Sequence, residues 1–302
     1  MIFRKEENGI VLLVIENDRI RAELAPALGG KFTSVYNKIL GREFLWHNTA
    51  LQLEKSAPGA DYEDNFWGGI DELIPNDVPE NVDGIDYPDH GELWTTELEA
   101  TLENGKVGLW GVLPKSGLYY LKEVSVVDGK PEIRVRYVIR NTADASRSFL
   151  WKLHAALRIS PGDRVVSNAK AARIVYPQSS RFSFQGEFPW PQIEGQNASI
   201  VPPKDGSMDF FYLYRETTGA MSMFSEGDRL QFRYEYDPAV FPYQWYFASF
   251  GQFRDHYTAI LEPATAMPFS VNEAAAQGQC TVLKPGEEIV TTVTIYAGKS
   301  QI

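Results

Sequence analysis

Three short stretches set titratable side chains where strands or turns should hold them. PDHGELW (88–94) places His90 between an aspartate and a glycine, two residues before Glu92. LWKLHAAL (150–157) carries Lys152 and His154 among leucines and alanines, and AILEPAT (259–265) ends an apolar run on Glu262, directly before a proline. A glutamate at the end of a buried strand is costly to desolvate unless it is paired or used. If residues 152–154 alternate as a strand, Lys152 and His154 share one side, which describes a polar cleft wall better than a dry core face. His90, Glu92 and Asp71 together also suit a divalent ion, although HxE at 90–92 has no second histidine close by. Glycoside hydrolysis, which needs two carboxylates flanking the bond, stays open because carboxylates are plentiful. His47 and His256 lack such settings and are assigned to structure or surface. There is no GxSxG elbow, no P-loop and no GxGxxG.

The elements that must position these groups read as β-strands. Runs of four to eight β-branched or aromatic residues end repeatedly in Gly, Asn, Asp or Pro, the pattern of an all-β sandwich or barrel. In LKEVSVVDGKPEIRVRYVIRNTA, Asp128-Gly129 falls where a hairpin turn belongs. Arg134, Arg136 and Arg140 mark its solvent side against Val135 and Tyr137. The nearest approach to a helix is NEAAAQGQC at 272–280, ended by Gly278, and MIFRKEENGIVLLVIEND reads as a first strand. No linker or repeat interrupts the pattern, so a single antiparallel β-sandwich domain spanning 1–302, with few short helices, is expected.

Composition narrows the partners. The 302 residues are 44% hydrophobic and carry a formal charge of −11, which argues against nucleic acid or an anionic membrane surface. Cys280 is the only cysteine, so no intrachain disulfide forms, and no secretory or membrane segment is legible; a cytoplasmic protein is expected. Aromatic residues make up 13% of the chain, and many fall in apparent loops, among them Trp67, Trp94 and the run from Phe241 to Phe247. Singly these suit core packing; collectively they suit a sugar, whose apolar face stacks on flat rings.

The order of these segments resembles the galactose mutarotase-like, or aldose 1-epimerase, superfamily. The resemblance runs from IRAELAPALGGKFTSVYNKILGREFLW (20–46) through WGGIDELIPN, DHGELW, LWKLHAAL and AILEPAT to LKPGEEIVTTVTIYAG. It implies a large antiparallel β-sandwich whose concave face holds a small-molecule carbohydrate and which interconverts anomers with no cofactor and no metal. By that resemblance Glu262 matches the general base, His154 the general acid and His90 a second, sugar-binding histidine. Glu92, Trp94, Trp67, Asp71, Lys152 and Trp245 complete the expected sugar-binding set. The family's galactose enzymes carry an Asn-Arg pair where this chain reads WGGIDELIPN, and Asp209 and Asp237 compete for the place of their sugar-anchoring aspartate. The superfamily also has a hexose-6-phosphate branch, for which Lys152, Arg158, Arg164 or Arg254 would form the phosphate clamp.

Overall fold

Alternating apolar and polar residues, punctuated by glycine turns, fold into two large antiparallel sheets in the computed structural model, which describes residues 1–300. The larger sheet runs in the order Ile2–Glu7, Ile10–Glu16, Ile20–Ala25, Lys31–Asn37, Ile70–Leu73, Lys152–Leu157, Tyr257–Ala264, Tyr243–Phe250, Ser207–Tyr214, Ala171–Ile174, Glu187–Phe188. The smaller runs Arg164–Val166, Ala220–Ser225, Leu230–Glu235, Glu288–Lys299, Glu132–Asn141, Leu118–Val126, Lys106–Val112, Glu99–Glu103. The expected all-β sandwich is what forms.

Local sequence accounts for much of the detail. Leu118–Val126 pairs with Glu132–Asn141 across the Asp128-Gly129 turn, with Arg134, Arg136 and Arg140 exposed and Val135 and Tyr137 buried. The N-terminal segment departs from the single strand expected: Asn8 and Gly9, at φ 51° and 78°, fold it into a two-strand hairpin. Both turn residues occupy the left-handed region that such a two-residue loop requires. The one α-helix among the described residues, Val271–Ala276, starts where the Ser270 hydroxyl accepts from the Glu273 N–H, and Gly278 follows at φ 67°. No helix among the described residues is long and apolar enough to cross a membrane.

The core lies between the sheets, and the central strands of the larger sheet are buried on both faces. Leu153, Ala155, Leu261, Tyr246 and Phe211 point into the core against Tyr120, Val135, Phe232 and Ile295 of the smaller sheet. The alternate residues Ala156, Ile260, Trp245, Phe210 and Tyr212 belong to separate clusters on the opposite face. Period-two alternation therefore sorts each central strand into a core half and an outward half, and the outward half builds the site.

One pair of charges lies inside the core. Lys122, from the smaller sheet, places its Nζ 2.7 and 2.8 Å from the two carboxylate oxygens of Glu72, from the larger, with both side chains fully buried. Tyr137 donates to the same carboxylate at 2.6 Å, Lys122 also donates to Gly30 O, and its ammonium sits 4.0 Å from the Phe32 ring centre. Burial pulls the Lys122 pKa down despite the Glu72 charge. Truncating one member strands the other in a dry core. Lys122→Met should destabilise the protein by about 3–5 kcal/mol in denaturant titrations. Lys122→Met combined with Glu72→Gln should recover part of that loss.

Candidate functional site

The outward face of the central strands opens into a cleft of ≈ 730 Å³, the open space at its mouth included. Its polar wall holds Asp77, Asp89, His90, Lys152, His154 and Glu262; Phe66, Tyr176, Phe210, Phe247, Phe253 and Ile260 form the apolar wall. The ladder pairs Ala155 with Leu261 and Lys152 with Ala264, so His154 falls opposite Glu262 on the next strand. On its other side His154 pairs with Asp71, and Glu262 pairs with Trp245. Asp71, His154, Glu262 and Trp245 thus form one row across the sheet, with opposed side chains about 5 Å apart at Cβ. His90, His154, Lys152 and Glu262, drawn from three distant segments, meet in this one cleft.

The buried charges of the cleft centre on one lysine. Lys152 Nζ lies 2.6 Å from Asp77 Oδ1 and 2.7 Å from Glu262 Oε2, with Lys152 3% and Glu262 1% exposed at the side chain. Neither of those oxygens has a hydrogen-bond partner of good geometry, so the ammonium is their main compensation. Burial alone would lower the Lys152 pKa, but the Asp77 and Glu262 charges outweigh it and hold the group above its ordinary value. Burial raises the Glu262 carboxyl, against the opposing pull of Lys152. His154 moves the other way: burial first, then the Lys152 charge, hold its imidazole well below the usual histidine value.

The PDHGELW turn presents His90 at the cleft wall. His90 and Gly91 take φ 55° and 79°, and a Cβ on Gly91 would lie 2.2 Å from Ile74 O, so only glycine fits there. His90 N–H donates to Asp77 O at 2.7 Å, and Asn76 Nδ2 ties the two segments by donating to Val78 O and Pro88 O. The His90 ring stacks on Tyr62 at 4.2 Å between centroids, with Nδ1 2.8 Å from Asp89 Oδ1 and Nε2 3.7 Å from Asp77 Oδ1. The Asp89 carboxyl, which burial alone would raise, is brought below its ordinary value by the His90 contact.

Other expected sugar contacts lie elsewhere. Glu92 is buried and accepts the backbone N–H groups of Lys115 and Ser116, which makes it a loop brace. Asp71 sits behind the wall, accepting from Lys31 and from the Tyr62 hydroxyl, both at 2.7 Å. With both acids committed, His90, Glu92 and Asp71 do not converge as metal ligands. Trp94 donates to Asp89 O and meets Tyr62 edge-on, while Trp67 stacks on His47 at 4.3 Å; both line a smaller depression behind Tyr62. Trp245 is fully buried beneath Lys152, 4.5 Å from its ammonium, and its indole N–H is spent on Ala266 O. Trp245 and Trp94 therefore pack against the polar wall from behind, while Trp67 stands apart from it. Asp209 is buried against Arg181, and Asp237 caps the Ala239 N–H at the surface, so neither reaches the cleft.

Sequence reasoning passed over Asp77, Asp89, Tyr62, Glu63 and Tyr176, all of which line the cleft. Asp89 lies inside PDHGELW, and Asp77 directly follows WGGIDELIPN. No spacing rule connects them, since they converge only through the loop packing.

No protein-family model matches the chain, and no curated protein matches it by sequence. Solved structures do. A galactose mutarotase-like protein from Clostridium acetobutylicum superposes with a TM-score of 0.74 at 14% identity, covering 99% of each chain. A protein from Klebsiella pneumoniae, provisionally named aldose 1-epimerase, gives 0.74 at 17% identity over 99% of this chain and 83% of that one. A TPR-domain containing protein from Parabacteroides distasonis gives 0.72 at 15% identity over 97% of this chain and 48% of that one.

The ion contacts of Lys152 have a measurable consequence. Lys152→Met would leave Asp77 and Glu262 buried without their cation, and stability should fall by about 3–5 kcal/mol. Adding Glu262→Gln should restore part of it; independent, additive losses in the double variant would show that Lys152 and Glu262 are not coupled. In its two sheets, its strand pairing and its match to these structures along nearly its whole length, the chain has the galactose mutarotase-like β-sandwich fold.

Proposed function

We propose that the protein is an aldose 1-epimerase-like isomerase that interconverts the α and β anomers of an uncharged sugar by acid-base catalysis. The observation that carries this reading is the placing of Glu262 opposite His154 on adjacent strands, in one open cleft with His90. Glu262 takes the proton of the C1 hydroxyl while His154 gives one to the ring oxygen, and the hemiacetal opens to an aldehyde. Rotation about C1–C2 presents the other carbonyl face. Reclosure with the transfers reversed gives the other anomer and returns both groups to their starting states.

The opposed pKa shifts suit these roles. A carboxylate whose pKa burial raises is a stronger base, and an imidazolium whose pKa burial lowers is a stronger acid. The same shifts reduce the fraction of molecules holding Glu262 ionised and His154 protonated together, a loss that the Lys152 charge limits on the Glu262 side. His90 faces the same space as a sugar-binding group, and Phe247 and Phe210 offer rings to the C–H face of the sugar.

An uncharged ligand fits the cations available. Lys152 is the only Lys or Arg among the described residues lining the cleft, and it is already shared between two carboxylates. Arg158 donates to Leu45 O, Arg164 pairs with Glu226, and Arg254 pairs with Asp64. None of these is arranged as a clamp for a phosphorylated sugar.

NMR of freshly dissolved α-sugars should show anomer exchange faster than buffer with the wild-type protein. Glu262→Gln or His154→Asn should slow the enzymatic rate by about 10²–10⁴-fold. Sugar binding with exchange at the buffer rate across a broad panel would leave a binding protein of this fold and end the isomerase reading.

A further inference from the structure

Behind His154 lies a buried polar chain that the acid-base scheme does not use. Lys31 Nζ is 2.7 Å from Asp71 Oδ2, the Tyr62 hydroxyl is 2.7 Å from the same oxygen, and that hydroxyl is 3.3 Å from His154 Nδ1. All four side chains are buried: Lys31 is 7%, Asp71 2%, Tyr62 4% and His154 5% exposed. Low exposure makes the direction of each hydrogen bond matter, because an unmatched donor or acceptor there is not rescued by solvent.

Proton counting fixes those directions. A phenol has one proton, and the Asp71 carboxylate can only accept. The shorter contact to a charged acceptor takes that proton, so Tyr62 donates to Asp71 and keeps only lone pairs for the imidazole. The Nδ1 of His154 must then be the donor; an unprotonated Nδ1 would set lone pair against lone pair. We infer that Tyr62 and Asp71 are positioning residues that hold His154 as its Nδ1–H tautomer, so that Nε2 is the ring nitrogen exchanging protons with the ligand in the cleft. The sheet supplies the alignment, since Asp71 and His154 are cross-strand partners. Lys31, which also donates to Gly68 O at 2.9 Å, anchors the far end of the chain.

The catalytic part of this inference rests on the isomerase reading, but the tautomer does not. Long-range ¹⁵N–¹H correlation spectra of His154, assigned by loss of its signals in His154→Asn, report which ring nitrogen carries the proton without any turnover. Wild type should show Nδ1 protonated and Nε2 bare in the neutral ring. In Asp71→Leu the phenol loses its carboxylate acceptor, which frees its proton for Nδ1. The proton on His154 should therefore move to Nε2, and kcat for anomer exchange should drop by about 10²–10⁴-fold with KM little changed, as expected for a wrong tautomer. Tyr62→Phe keeps the ring that stacks on His90 but should abolish the Nδ1–H preference. An Nε2–H tautomer in wild type, or an unchanged tautomer in both variants, would overturn the inference. Correct tautomers in a protein that exchanges no sugar would instead count against the isomerase reading alone.

Discussion

Ile70–Leu73 carries two adjacent carboxylates to opposite faces of the larger sheet, and each meets one lysine. Glu72 points into the core and is met by Lys122 from the smaller sheet; Asp71 points outward and is met by Lys31. Leaving either carboxylate without its partner in so dry a setting would cost several kcal/mol, so the strand is tolerated only in the register that satisfies both. A slip of one residue would exchange the two faces. The position of the sheets relative to each other, and of Asp71 beside His154, thus share one constraint.

The outward face uses the same device a second time. Lys152 bridges Asp77 and Glu262 while Trp245 supports its ammonium from below, so one cation is shared between two buried carboxylates. Phenylalanines and Tyr176 supply the apolar part of the same lining. The low-polarity surroundings also push the Glu262 carboxyl up and the His154 imidazole down.

Much of this was legible in residue order. The alternation at Lys152, Leu153 and His154 announces which side chains share a face, and the structure keeps Lys152 and His154 on the cleft side with Leu153 in the core. The tryptophans misled because an indole in a loop pattern suits stacking on a sugar as well as interior filling, and sequence contains no measure of depth. None of Trp94, Trp67 and Trp245 lines the cleft. Glu92 misled similarly: beside a histidine it resembles a ligand-binding acid, yet its oxygens are consumed by two backbone amides more than twenty residues away.

The sequence by itself determined the strands, their turns and the faces of each strand, because these follow from a two-residue period and from glycine, asparagine and aspartate at tight bends. It also determined that the histidine and glutamate segments were unusual, since charged groups in apolar runs need a reason to be there. Only the tertiary structure decided which carboxylate meets which cation. Asp77 and Glu262 reach Lys152, and Tyr62 reaches both Asp71 and His154, through strand neighbours and loops distant in sequence. Pairing of buried charges depends on separations of a few ångströms set by the whole sheet, and no local pattern encodes those separations.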